Sequence, residues 1–291
     1  MEAIKEKIIF LIGKGFLGTK IVSVFRQKGI KIITADIQGK VDYSLEITDE
    51  QSMIYLFKDL NPDVVLLPAG ITNVDLCETE QEKAFEVNVE GTRNVVDCCR
   101  AFNSKLVFFS TDYVFDGLKG NYSEKDSVNP VNVYGKTKVQ GEEIVKGIEN
   151  YLIARVSALY GFNSKEDKNT FVFHAINELK EEQDIFVANF INCPTLIDDV
   201  AESIYLMLEK DFSGTFNVCG KEACSKHGLL KKVCKVYGFN PSNIKLVPKI
   251  SSWKAKRPLN SSLDITKIQL HGIKMSSIEE GLIKMKKQME L

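Results

Sequence analysis

The feature that most constrains this chain is an apolar run that meets a cluster of glycines and then an amphipathic segment. Ile8-Ile9-Phe10-Leu11-Ile12 is followed by Gly13-Lys14-Gly15-Phe16-Leu17-Gly18, by a helical pattern reaching about Lys28, and by a second apolar run, Ile30-Lys31-Ile32-Ile33. An unbroken apolar run suits a strand covered on both faces, and glycines punctuate it where a helix begins, so the unit reads as β-α-β with parallel strands. The alternation continues with a helix near 49–60, a strand at 64–67, a long helix over about 79–102, a strand at 106–109, a helix after Val131 and a strand at 151–154.

In that setting the glycine spacing has a chemical meaning. The first glycine permits a tight turn, the second lets a pyrophosphate approach the backbone, and the third lets the helix pack on the strand; the helix N-terminus then offers free N–H groups and a positive dipole. Gly13, Gly15, Phe16, Leu17 and Gly18 are therefore read as a dinucleotide-binding turn. Asp36 lies 18 residues past the last glycine, at the end of the second apolar run, where a carboxylate accepts from a ribose 2′-OH. It favours NAD(H) as cofactor. NADP(H) is the alternative if Asp36 is only a solvated strand end and Lys14 or Lys40 receives a 2′-phosphate.

Beyond about Tyr160 the periodicity loosens, with helices near 170–180, 198–209, 226–237 and 277–287 and a short strand at 215–218. The expected fold is α/β, a Rossmann-type doubly wound parallel sheet with a smaller, interleaved C-terminal substrate-binding lobe. Residues 1–160 form the dinucleotide-binding domain, with later segments returning to it, and residues 161–291 form the lobe. At about 150 residues per domain, 291 residues accommodate this arrangement. Lys and Arg number 38 against 39 Asp and Glu, so no overall field draws the chain to nucleic acid or to an anionic membrane. The uncharged stretch 185–197 contains Asn189, Asn192 and Pro194 and is too short to span a bilayer. The acidic start, Glu2 and Glu6 beside Lys5 and Lys7, does not suit a secretory leader, and a cytoplasmic location is expected. Seven cysteines without a CxxC pair, accompanied by three histidines, suggest neither a disulfide framework nor a metal site.

Tyr134 and Lys138 stand at i and i+4 in Tyr134-Gly135-Lys136-Thr137-Lys138, on one face of a helix beginning near Asn132. A phenol is a poor acid at neutral pH, and an ammonium beside it favours the phenolate and brings its pKa toward the working range. Tyr134 can then protonate an alkoxide formed from a carbonyl. On spacing alone, a solvated helix face accounts for the pair equally well.

The wider text is more specific. Phe109-Ser110-Thr111-Asp112-Tyr113-Val114-Phe115-Asp116-Gly117, Tyr122-Ser123-Glu124, Pro130, Tyr134 to Lys138, Gly141-Glu142, Arg155 with Tyr160-Gly161, Pro194-Thr195 and Arg257-Pro258 through Asp264 together resemble the dTDP-4-dehydrorhamnose reductase family, a branch of the extended short-chain dehydrogenase/reductases. The resemblance runs through nearly the whole chain. It implies that Thr111 hydrogen-bonds a substrate carbonyl, that Tyr134 is the proton donor, and that Lys138 binds the nicotinamide ribose and tunes Tyr134. It also implies that Ala69 and Gly70 pass under the cofactor, that Asp112, Tyr113 and Val114 face a sugar, and that Arg257 meets a nucleotide diphosphate. The implied activity is NAD(P)H-dependent reduction of a 4-keto nucleotide-activated deoxysugar, dTDP-4-dehydro-L-rhamnose foremost; a homodimer is left open. The chain departs from the family at Ala158, where a sugar-facing Trp is common, at Leu76 and at Pro68. The Ala158 departure is shared with the regulatory β subunit of methionine adenosyltransferase, which makes a non-catalytic dinucleotide-binding subunit the alternative. A related nucleotide-sugar epimerase or dehydratase is a third reading.

Overall fold

The computed structural model describes residues 4–164, 170–248 and 250–290. Six strands, β1 (Ile9–Ile12), β2 (Ile32–Asp36), β3 (Tyr43–Ser44), β4 (Val64–Leu67), β5 (Lys105–Thr111) and β6 (Tyr151–Val156), join the later strand Gly214–Asn217 in one sheet. All pairings in it are parallel, in the spatial order 214–217, β6, β5, β4, β1, β2, β3. The chain starts in the middle and winds first one way and then the other, so a crevice opens where β1 and β4 diverge, the usual ligand position of an open parallel sheet.

Every residue of β1, β4 and β5 is buried. Alternate side chains reach opposite layers: Ile9 and Leu11 join a core with Ile21, Phe25 and Tyr205, whereas Phe10 and Ile12 join one with Met53, Phe57 and Val95. This two-sided burial is why these strands are written as unbroken apolar runs. The helices that cover them are α1 (Phe16–Gln27), α2 (Glu50–Leu60), α5 (Gly91–Phe102), α6 (Val133–Val145) and α8 (Ile197–Glu209); α3 (Val74–Thr79) and α4 (Gln81–Phe85) lead into α5, and α7 (Phe171–Lys180) and α9 (Lys226–Tyr237) pack on each other in a separate core. Helix α8, from the C-terminal half, lies against α1: the Phe25 and Tyr205 rings meet edge-on at 6.0 Å, and Lys28 pairs with Glu202 at 2.8 Å.

The long helix expected over 79–102 runs from Gln81 to Phe102 with a π turn at Glu86–Glu90 inside it, and the short α3 precedes it. Asn73 caps α3 by accepting from the amides of Asp75 and Leu76. The π turn turns Asn88 inward, where its side chain accepts from the Ile71 amide and donates to the Ile71 carbonyl and to Thr137. Such a one-turn widening is a known device for aiming a side chain at a site.

The lobe carries short pairings that hydropathy did not announce: Ile185–Val187 with Ile244–Leu246, Ile191–Asn192 with Cys224–Ser225, and Leu159–Tyr160 with Thr195–Leu196. Its core gathers Leu179, Leu230, Val233, Ile278 and Leu282. All seven cysteines are free thiols. Among the described residues no helix is long and apolar enough to cross a membrane.

The glycine turn supplies a test of this packing. A Cβ on Gly18 would stand 2.2 Å from the Gly13 carbonyl oxygen, whereas a Cβ on Gly15 would meet nothing within 4 Å. Gly18→Ala is expected to lower the unfolding free energy in urea by about 1–3 kcal/mol, and Gly15→Ala to leave it within about 0.5 kcal/mol.

Candidate active site

A cavity of about 910 Å³ opens over the carboxyl ends of β1, β4 and β5, between the sheet and the lobe. At one end lies the glycine turn. Gly13 adopts φ +103°, and a Cβ there would fall 2.4 Å from the Ala69 nitrogen, so only glycine lets the turn lie against the loop after β4. Gly15 is the N-cap of α1 and offers no side-chain cap, which leaves the first-turn N–H groups facing the open space above it. Leu17 packs into the core, Phe16 stays partly open at the cavity wall, and both carry their backbone past the same space. Open volume over bare amides and a positive helix end fit a dinucleotide pyrophosphate.

Asp36 closes this end. Its carboxylate accepts from the Lys14 amide at 2.5 Å and from its own neighbour Ile37 at 2.7 Å, and the Lys14 ammonium donates to the Lys40 carbonyl. Ala69 and Gly70 form part of the floor, with Gly70 at φ +147° and its missing Cβ replaced by Asn88 Oδ1, 2.8 Å from where it would be.

Thr111, Tyr134 and Lys138 meet at the middle of the cavity. Thr111 ends β5 and caps the following 3-10 turn by accepting from the Tyr113 amide. Asn132 caps α6 by accepting from the Gly135 amide at 2.8 Å and donates to the Lys256 carbonyl. The glycine in the Tyr-Gly-Lys-Thr-Lys stretch has a steric cause, since a Cβ at Gly135 would lie 2.2 Å from the Tyr113 carbonyl oxygen. Tyr134 stands edge-on to Tyr113 with ring centroids 6.1 Å apart.

The electrostatics differ from the expectation that Lys138 depresses the Tyr134 pKa. Burial pushes the Tyr134 phenol above its ordinary value, a hydrogen bond with Thr111 opposing and the Asp112 charge reinforcing it. Lys138 does not offset this, because its ammonium lies 4.0 Å over the Phe108 ring and is itself pushed down to about 8 by burial, against the pull of Glu142. Tyr134 therefore rests as a protonated hydroxyl rather than as a phenolate. Glu142, one turn beyond Lys138, accepts two bonds from Arg155, at 2.9 and 2.7 Å, and one from Ser110 at 2.6 Å.

Of the residues expected at a sugar or a diphosphate, Asp112 lines the cavity, whereas Tyr113, Val114 and Arg257 do not. Val114 has no exposed surface and belongs to the core beneath the site, because the 3-10 turn rotates it inward. Asp112 borders the cavity, but its carboxylate accepts from Ser261 at 2.5 Å and also takes Thr111 and Ser157, so it clamps the C-terminal segment to β5. Arg257 does not line the cavity; its guanidinium donates two hydrogen bonds to the Asp75 carboxylate, at 3.1 and 2.8 Å, and lies 4.9 Å from the Trp253 ring centre. Burial works against the Asp75 charge, yet Arg257 and the Ala255 and Lys254 amides hold its carboxyl below the usual range. Asn88 and Ser261 stand in stretches that match the family but gave no sign of their partners, which lie far along the chain, and Trp253 had no signal of its own.

The model of the RmlD substrate binding domain matches residues 6–291. The chain belongs to that family. A dTDP-4-dehydrorhamnose reductase of Aggregatibacter actinomycetemcomitans is 33% identical over 260 residues, 83% of this chain and 87% of that protein. Methionine adenosyltransferase 2 subunit beta of Rattus norvegicus is 26% identical over 282 residues, 92% of this chain and 83% of the relative. Among solved structures, the dTDP-4-dehydrorhamnose reductase of Bacillus anthracis str. Ames in complex with NADP superposes with a TM-score of 0.87 at 29% identity, covering 97% of this chain and 99% of that one. In this family member the glycine turn, the Tyr134 and Lys138 face and the Glu142–Arg155 pair occupy one continuous structural unit.

Burial raises the Asp112 carboxyl from 3.8 to about 6. The folded chain then binds this proton more tightly than the unfolded one, so the contribution to stability is present below about pH 4 and is lost as pH rises through 6. The difference in unfolding free energy between the wild type and Asp112→Asn is expected to shift by about 2 kcal/mol between pH 4 and pH 7, measured by urea titration at each pH.

Proposed function

We propose that this chain, an NAD(P)-dependent oxidoreductase of the RmlD family, reduces the 4-keto group of a nucleotide-activated deoxysugar, with dTDP-4-dehydro-L-rhamnose as the substrate and dTDP-L-rhamnose as the product. The reading is supported above all by the meeting of Thr111 and Tyr134 beside Lys138 in the cavity that begins at Gly15. A carbonyl oxygen placed between the two hydroxyls receives two donors. When bound, the nicotinamide supplies the hydride. Thr111 orients the carbonyl and draws charge onto its oxygen, and Tyr134 hands over its proton as that oxygen becomes an alkoxide. Lys138, on the same face of α6, would hold the ribose hydroxyls of the cofactor beside Tyr134.

Ala158 favours a second reading. It is exposed at the cavity wall with φ +42°, and it offers no aromatic surface to a sugar. A non-catalytic subunit that keeps the dinucleotide site would tolerate that loss, and turnover decides between the two.

Purified chain is expected to oxidise NADPH or NADH when dTDP-4-dehydro-L-rhamnose is added. Tyr134→Phe should lower kcat about 10²-fold or more with the dinucleotide Kd unchanged, and Lys138→Ala should impair both. A wild type that binds dinucleotide but reduces no 4-keto nucleotide sugar overturns the reductase reading in favour of the regulatory one.

Asp36 carries the cofactor preference. Asp36→Ala should weaken NADH more than NADPH, because it removes an acceptor for the 2′-OH together with a charge that repels a 2′-phosphate. The ratio of the two dissociation constants is the measurement, and an unmoved ratio reduces Asp36 to a brace for the Lys14 amide.

A further inference from the structure

Between the lobe and the site stands a lysine to which the reaction assigns no task. Lys226 opens α9 directly after its Ser225 cap, so its stem leaves from a fixed point. Its ammonium is seated 4.6 Å from the Phe171 ring centre and 5.3 Å from that of Trp253. Phe171 lines the cavity that also holds Tyr134. No carboxylate among the described residues pairs with this ammonium, and the charge that acts on it is another cation, Arg257. Burial and that neighbour push Lys226 down to about 8. Two aromatic faces offset part of the lost hydration of an ammonium, but a desolvated cation without an anion remains costly.

Arg257 lies on the same indole and differs in one respect: Asp75 already neutralises it with two hydrogen bonds. Among the described residues, Arg257 has a carboxylate partner and Lys226 has none.

We propose that Lys226 is the residue that binds the diphosphate of the nucleotide-activated substrate, while Arg257, held by Asp75, positions the Trp253 indole between them. The assignment rests on the nucleotide-sugar reading of the site. An anion arriving at Lys226 gains a charge-assisted hydrogen bond without displacing any carboxylate of the protein. At Arg257 the same anion would first have to compete with Asp75. Lys226 contacts the Phe171 and Trp253 rings and takes no part in the proton transfer assigned to Tyr134, so it is a binding residue whose effect falls on substrate affinity.

The test uses the full chain saturated with NADPH and titrated calorimetrically with thymidine 5′-diphosphate. Lys226→Met keeps the stem on its aromatic seat and removes the charge; it should weaken the nucleotide about 10–100-fold and raise KM to match, with kcat within about twofold and the NADPH Kd unchanged. Lys226→Arg, which keeps the charge, should stay within about fivefold of wild type. Unchanged nucleotide affinity in Lys226→Met, or an equal loss in Lys226→Arg, overturns the assignment and leaves the reductase reading intact if turnover persists. A selective loss of nucleotide binding in Lys226→Met, in a chain that turns over no 4-keto nucleotide sugar, upholds the anion site and overturns the reaction. A wild type that binds none of the thymidine, uridine or guanosine diphosphates overturns both.

Discussion

The arrangement of the site depends on the buried ion pair between Glu142 and Arg155. It joins three elements: Glu142 on α6, Arg155 on β6, and Ser110 on β5, which donates to the same carboxylate. Both side chains are almost wholly enclosed. Withdrawing two charges from water offsets most of what their attraction returns, so the pair is not a large source of net stability, although removing one partner alone would cost about 3–5 kcal/mol. Its geometric consequence is larger. Tyr134, Lys138 and Glu142 are spaced at four-residue intervals along one stripe of α6, and fixing Glu142 against the sheet sets the rotation of the helix about its own axis. The stripe then carries Tyr134 and Lys138 over the end of β5, where Thr111 waits. Two glycines permit the close approach: a Cβ at Gly141 would stand 2.7 Å from Phe108, and one at Gly135 would strike the Tyr113 carbonyl.

From that placement follows a common electrostatic condition. Burial pushes the Tyr134 phenol up, the Asp112 carboxyl up to about 6 and the Lys138 ammonium down to about 8, each in the direction of neutrality. A low-dielectric pocket lets an arriving charge act strongly, since little water is left to screen it. The Glu142 charge that anchors α6 also opposes the discharge of Lys138, so the strut and the ammonium belong to one electrostatic unit.

The sheet was legible because two-sided burial leaves no polar positions to confuse the reading. Val64–Leu67 and the helix Lys226–Tyr237 fall where periodicity puts them. The glycine turn was legible because each glycine answers a separate steric demand. Other features escaped for identifiable reasons. A π turn preserves the helical look of the residues around it, so the break at Glu86–Glu90 left no mark on the apolar pattern. Strands of two or three residues, such as Ile191–Asn192, are too short to show an alternation. Val114 sits inside a stretch whose first residues, Thr111 and Asp112, do line the site, and only the rotation of the 3-10 turn distinguishes its direction. The Arg257–Asp75 pair spans 182 residues, and the seat of Lys226 is assembled from Phe171 and Trp253, so neither has a local signature.

The packing of α8 on α1 has a consequence for how the protein is made. The glycine turn and α1 leave the ribosome early, yet the face of α1 that carries Phe25 finds Tyr205 only after some 180 further residues have been synthesised, and the strand that completes the sheet, Gly214–Asn217, follows later still. Until then one layer of the nascent β-α-β unit has no cover and the edge of β6 has no neighbour. Exposed apolar layers and open strand edges are what chaperones hold and what aggregates form from. A chain interrupted near residue 160 would therefore carry the whole dinucleotide turn and still lack the partner that keeps its first helix in place.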